Sequence, residues 1–173
     1  MSTLVTSRLV LAPFSGNDCD ELFLLRRDPV VMRYWDWPPD VTVDETRRVT
    51  KSMLEDEAAG SARYWTVRDR NELVFIGIVD LSESDGVSAD LGFMLLRDRW
   101  GQGLASEAVL RVIDAAWELG LRRLRARIHA DNVPSARFLE RLGFVLQTAR
   151  EMEIRPGVTK LCRFFALERP PTS

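Results

Sequence analysis

The segment that most constrains this chain is a strand that runs into a glycine turn and then a helix. It comprises Leu91 to Leu96, a short polar connection, Gly101-Gln102-Gly103-Leu104-Ala105, and an amphipathic run from Ser106 to Leu119. Ala108, Val109, Val112, Ile113, Ala116 and Trp117 recur at helical spacing, and Gly120 closes the run. Such a connection sets the unpaired amides of a helix N-terminus beside a strand end, and two glycines keep side-chain bulk away from them. It can cradle phosphate oxygens, or it can be a turn without a ligand. No Gly-Lys-Ser/Thr follows, so it is not a P-loop, and the third glycine and βαβ setting of the dinucleotide fingerprint do not match.

Periodicity places the other elements around this unit. A short strand is expected at Leu9 to Pro13, then a helix from near Asn17 or Asp18, either of which could cap it. A helical turn from Asp28-Pro29 leads into a loop, Tyr34-Trp35-Asp36-Trp37-Pro38-Pro39, where paired prolines stop regular structure. A charge-dense helix, Val43 to Ala59, ends at Gly60. Strands follow at Ala62 to Arg68, Leu73 to Leu81 and Ala89 to Leu96, which reads as an antiparallel meander. Beyond the glycine turn come a strand at Leu124 to His129, a helix at Asp131 to Leu142, and two strands, Phe144 to Ile154 and Lys160 to Leu167, joined around Pro156-Gly157. The order predicts an α+β fold with one mostly antiparallel sheet and helices on its faces.

With 173 residues and 46% hydrophobic content, one domain is expected, at 1–168, with a frayed tail at 169–173. A net charge of -2 gives no global field toward nucleic acid or anionic lipid, so neither is expected as a partner. Cys19, Cys162 and the single histidine, His129, fit neither a disulfide framework nor an ordinary zinc site, and no metal is expected. There is no apolar run of membrane-spanning length and no basic segment leading into a long apolar stretch, which points to the cytoplasm.

The second half of the chain sharpens the reading of the turn. Trp100-Gly101-Gln102-Gly103-Leu104-Ala105 resembles the coenzyme A pattern Gln/Arg-x-x-Gly-x-Gly/Ala of the GNAT superfamily of N-acetyltransferases, with Trp100 where Gln or Arg is usual. Ala105-Ser106-Glu107-Ala108, Asn132-Val133-Pro134-Ser135 and Gly143-Phe144 follow in order and are similar to the Rim-type branch, the ribosomal-protein N-terminal acetyltransferases and their relatives. Thr6-Ser7-Arg8-Leu9-Val10-Leu11, Val31-Met32-Arg33-Tyr34-Trp35 and Ile76-Gly77 agree, so the resemblance touches nearly the whole chain. It implies a sheet of about seven strands, splayed near its middle.

The resemblance also implies roles. The amides of Gln102, Gly103, Leu104, Ala105 and Ser106 would hold the pyrophosphate of acetyl-coenzyme A, and the backbone of Phe93, Met94 and Leu95 would meet its pantetheine arm. Asn132 would bind the same arm, or cap the following helix. Arg137, or one of Arg97 and Arg99, would meet the ribose phosphate, or stand as solvated surface charge. Many family members place a tyrosine near the departing thiolate, where this chain has Leu139. Ser135 is therefore the candidate acid, unless it bonds to backbone in the first helical turn. Asp90 is the candidate base, with Asp80 as second choice; His129 has a suitable ordinary pKa but ends a strand. Tyr34, Trp35, Asp36 and Trp37 would border the acceptor pocket, with aromatic faces and a counter-charge for an ammonium group.

The expected activity is acetyl transfer from acetyl-coenzyme A to a primary amine by direct attack in a ternary complex. The acceptor would be a protein N-terminus, a polyamine or an amine-bearing small molecule. The alternative is a non-catalytic acyl-coenzyme A-binding module on the same scaffold. The last strands could also pair across subunits in a homodimer.

Overall fold

A sheet of eight strands crosses the molecule, in a computed structural model that describes residues 2–171. The strands are β1 (Leu4–Val5), β2 (Leu9–Pro13), β3 (Arg63–Asp69), β4 (Phe75–Ser82), β5 (Ser88–Leu95), β6 (Arg123–His129), β7 (Val145–Arg155) and β8 (Val158–Glu168). The helices are α1 (Cys19–Arg26), α2 (Val43–Ala59), α3 (Leu104–Glu118) and α4 (Val133–Arg141). The spatial order is β1-β2-β3-β4-β5-β6-β8-β7, and only β5 and β6 run parallel. This is the expected α+β architecture, with eight strands rather than seven because the two-residue β1, too short to show a period, pairs with Leu11 and Val10.

Strand alternation divides the core into two layers. Trp65, Val67, Ile76, Val79, Leu91 and Leu124 face α3 and α4, whose Val109, Val112, Ala116, Phe138 and Leu139 complete one cluster. Phe75, Ile78 and Met94 point the other way, onto Leu22 and Leu25 of α1 and Met53 of α2. Helices therefore cover both faces, as expected. No helix among the described residues is long and apolar enough to cross a membrane.

Several element ends differ from expectation for local reasons. Asp18, one of the two expected residues, holds the N-cap position of α1, but its side chain makes no cap bond there; it instead forms a capping box with Ser15 over a 3-10 turn, Gly16–Asp18, that runs into α1. Leu73 takes the left-handed conformation, φ 56°, which delays β4 to Phe75. The helix after the glycine turn starts at Leu104, two residues early, because Gly103 at φ 76° can serve as its N-cap. At the C-terminus the Arg169 amide donates to the Arg122 carbonyl at 2.8 Å, while Thr172 and Ser173 of the expected frayed tail lie outside the described residues.

One carboxylate ties the start of the chain to α3. Glu107 Oε1 accepts from Thr6 Oγ1 at 2.6 Å, Ser7 Oγ at 3.0 Å and the Arg8 amide at 2.9 Å, and its Oε2 accepts from Arg8 Nε at 2.6 Å. Arg8 Nη1 also donates to the Gln102 carbonyl at 3.0 Å, so the same guanidinium braces the glycine turn. Burial alone would raise the Glu107 pKa, but these donors outweigh it and hold the group down at about 2. A carboxylate whose folded pKa is depressed stabilises the fold above its unfolded pKa and loses that contribution as pH falls toward the folded value. For Glu107 the window runs from about pH 4.5 down to about pH 2, and the contribution is on the order of 2–3 kcal/mol. Glu107→Gln is expected to lower stability by that order at pH 7 and to flatten the loss of stability between pH 4.5 and pH 2; urea unfolding at stepped pH measures both.

Candidate active site

The sheet opens between β5 and β6. Ser88, Ala89 and Asp90 pair with Arg123, Leu124 and Arg125, and the pairing ends there. Beyond this point β5 stays on β4 through Leu95, while β6 stays on β8 through His129. The Leu96 amide donates to Ile76, so the hydrogen-bonded positions on β5 are the even ones, including Met94 and Gly92. The backbone groups of Phe93 and Leu95 therefore point into the opening, while Leu91 still serves the last pair with β6 and Met94 is used on β4. The Leu95 carbonyl is taken by Trp100 Nε1 at 2.9 Å. This bond ties the glycine turn to the strand end and accounts for the indole at a position where Gln or Arg is usual.

At the open end of the fork stands the turn. Among the described residues, the six consecutive amides from Gly101 to Ser106 donate to no protein acceptor, and the first hydrogen bond of α3 runs from Glu107 to the Gly103 carbonyl. Gly101 and Gly103 both have positive φ, 73° and 76°, which orients the row. Such a row at a helix N-terminus fits a pyrophosphate.

Across the opening, α4 packs its Phe138 ring onto Phe93, centroids 4.7 Å apart. Asn132 caps α4, its Oδ1 accepting from the Ser135 amide at 3.3 Å, so the capping reading holds for that oxygen. The Asn132 Nδ2 and the half-buried Ser135 hydroxyl have no protein partner among the described residues. Leu139, where many relatives carry tyrosine, is 2% exposed and part of the core. Arg137 is exposed on the outer side of α4.

The two candidate carboxylates have different surroundings. Asp90, at the apex of the fork, accepts from Arg125 Nε at 2.6 Å. Asp80 faces Gly92 across β4 and β5, and a Cβ at Gly92 would come within 3.0 Å of Asp80 Cγ. The glycine thus lets the Asp80 carboxylate lie across β5, next to the residue whose backbone faces the opening. Burial, reinforced by the nearby Asp90 charge and opposed by a hydrogen bond from Ser82, pushes the Asp80 pKa up to about 6.

The aromatic loop closes the other side. Tyr34, Trp35 and Trp37 line a cavity of about 290 Å³ together with His129 and Asp131, and with Arg155 and Lys160 of the β7–β8 hairpin. His129, the last residue of β6, takes part in this lining. Asp36 is not in the wall. Its carboxylate turns inward to Arg127, with Nη1 at 3.2 Å, and to His129 Nε2 at 3.2 Å, while Arg155 donates to its carbonyl. Burial opposes ionisation of Asp36, but the Arg127 and His129 hydrogen bonds prevail and hold its pKa below the usual carboxylate range. The counter-charge expected for an ammonium group is thereby neutralised within the protein. A larger cavity, about 450 Å³ between α1 and α2, touches neither the fork nor the turn. No group of three or more His, Cys, Asp or Glu side chains among the described residues could hold a metal ion.

A family model described as an acetyltransferase (GNAT) domain matches residues 8–145, from Arg8 through the fork to the start of β7. The chain belongs to the GNAT acetyltransferases. It is 31% identical over 147 residues to the uncharacterized N-acetyltransferase p20 of Bacillus licheniformis, covering 83% of each chain. Among solved structures, RimL, a ribosomal L7/L12 α-N-protein acetyltransferase in complex with coenzyme A, superposes with a TM-score of 0.85 at 20% identity, covering 96% of this chain and 98% of that one. A spermidine N-acetyltransferase from Vibrio cholerae in complex with coenzyme A and spermine gives 0.81 at 21% identity, covering 94% and 96%.

Asp80 and Gly92 were legible in the sequence only as separate residues; their contact is a matter of strand register. Gly92→Ala is expected to cost about 1–3 kcal/mol by forcing the Asp80 carboxylate aside. In an Asp80→Ala background that cost should shrink to well under half. A double-mutant cycle by urea unfolding measures the coupling.

Proposed function

We propose that this GNAT chain moves an acetyl group from acetyl-coenzyme A to a primary amine by direct attack in a ternary complex, within a catalytic domain spanning 1–168. The observation that carries the reading is the row of six unpartnered amides, Gly101 to Ser106, at the open end of the fork. The amides of Gln102, Gly103, Leu104, Ala105 and Ser106 receive the pyrophosphate, and the cleft-facing backbone of Phe93 and Leu95 receives the pantetheine. Asn132 Nδ2 adds a donor, and Arg137 is near enough in sequence to meet the ribose phosphate on the α4 side.

In the transfer, the neutral amine nitrogen bonds to the thioester carbonyl carbon, the carbon–sulfur bond breaks, and the amine proton passes to a protein carboxylate. The Ser135 hydroxyl donates to the departing thiolate. Asp80 is the better base of the two candidates, because its pKa of about 6 leaves it ionised at neutral pH yet still basic, whereas Asp90 is engaged by Arg125. Asp90 acts on the reaction by raising the Asp80 pKa. The acceptor enters over Tyr34, Trp35 and Trp37, and Asp36 holds that loop in place through Arg127. The burial of Leu139 supports a second reading, a module that binds an acyl-coenzyme A without turning it over.

Coenzyme A is expected to raise the melting temperature, and thiol release from acetyl-coenzyme A should appear with members of an amine panel. Asp80→Asn should lower kcat by about 100-fold or more and remove the acidic limb near pH 6. Asp90→Asn should cost less and move that limb to lower pH, because a negative neighbour is lost. Ser135→Ala should lower kcat by roughly tenfold. Binding of the cofactor with no turnover on any amine would establish the second reading instead.

A further inference from the structure

The walls of the acceptor cavity carry more positive charge than an ammonium-binding site can use. Arg33, Arg155 and Lys160 all line it, from the loop before the aromatic segment and from the β7–β8 hairpin. Among the described residues none of the three pairs with a carboxylate. Arg33 lies over the Tyr34 ring, 5.1 Å from its centroid, and Arg155 donates to the Asp36 carbonyl, so both are positioned without being neutralised. Against them stands one free carboxylate in the wall, Asp131, because Asp36 is turned under to Arg127.

From this charge distribution we infer that the acceptor is an amine that also carries an oxyanion, a carboxylate or a phosphate, and not a polyamine. The inference rests on the acetyltransferase reading and names its substrate class. Two physical effects favour it. A pocket lined by three unneutralised cations attracts an anionic group and repels a polycation. The same cations disfavour the ammonium form of a nearby amine and so lower its pKa, which supplies the neutral nucleophile that attack on a thioester needs. Asp131, one residue before Asn132, then offers the amine end of a zwitterion a partner on the side nearest the fork, while the anion sits toward the hairpin. The cavity of about 290 Å³ suits a small molecule or the first residues of a peptide. The spermidine acetyltransferase neighbour shares the fold but not, on this inference, the acceptor class.

Matched pairs of amines test the charge alone. O-phosphoethanolamine is compared with ethanolamine, a short peptide ending in a free carboxylate with its carboxy-terminal amide, and spermidine serves as the polycation; kcat/KM is read by thiol release. The anionic member of at least one pair should be preferred tenfold or more, which also tells phosphate from carboxylate, and spermidine should be the poorest acceptor. Lys160→Ala and Arg33→Ala should each shrink the preference several-fold, and Lys160→Arg should keep it. Because the readout is a ratio within one variant, partial loss of folded protein cancels. Ratios near one, or faster turnover of spermidine, would overturn the inference. If coenzyme A raises the melting temperature but no amine is turned over, the catalytic reading fails, and calorimetry of O-phosphoethanolamine and the free-carboxylate peptide on the coenzyme A-saturated protein decides the pocket. Binding weakened by Lys160→Ala supports it, and no binding of either overturns it. If coenzyme A has no effect, the donor reading fails, and the same titration on the free protein decides in the same way.

Discussion

Three residue pairs hold the two halves of the sheet together. Where Asp90 meets Arg125, β5 and β6 stop sharing hydrogen bonds, and each strand continues with one side satisfied and the other open. An unpaired strand side inside a domain is costly unless something answers its polar groups. Here the answer is divided. Trp100 takes the Leu95 carbonyl, Phe138 of α4 covers Phe93, and the remaining amides stay free to meet a ligand. The opening is thus a consequence of where pairing ends, and the amide row at Gly101 to Ser106 follows on the strand that borders it.

A fork of this kind needs bracing from outside, and polar contacts supply it on both flanks. On one, Glu107 gathers Thr6, Ser7 and Arg8, and Arg8 reaches on to the Gln102 carbonyl, so the first strands and the glycine turn share one carboxylate. On the other, Asp36 binds Arg127 and lies against His129 on β6, while Asp40 accepts from Arg26 at 2.7 Å and from Thr46. The aromatic loop is held at Asp36 to the sheet and at Asp40 to α1 and α2. Its tryptophans can then form a fixed wall although Trp37 is 56% exposed.

Much of this was legible in the sequence, for identifiable reasons. The helix Val43–Ala59 shows its dense charges and terminal Gly60, and α3 shows an apolar stripe over four turns. Both are local patterns of the kind that spacing can reveal. The amide row follows from glycines beside a helix start, and the Asn132 cap from its place before Val133-Pro134. The residues that sequence reasoning placed less well depend on distant partners. Asp36 reads as an exposed counter-charge until Arg127, 91 positions away, is seen beneath it. The contact of Asp80 with Gly92 appears only once strand register sets the two opposite each other. Thr6-Ser7-Arg8 and Ala105-Ser106-Glu107-Ala108 stand as two separate motifs in the sequence and are one contact in the fold.

The matched family segment ends at residue 145, where the last hairpin begins. Ile154, Arg155, Val158 and Lys160 of that hairpin nevertheless form one wall of the cavity beside the aromatic loop. The labour is therefore split along the chain. The matched portion carries the fork and the amide row, and the hairpin that follows it backs β6 through β8 and adds a wall to the cavity. Changes at Ile154, Arg155, Val158 or Lys160 would reshape that wall while leaving the three pairs between β5 and β6 untouched.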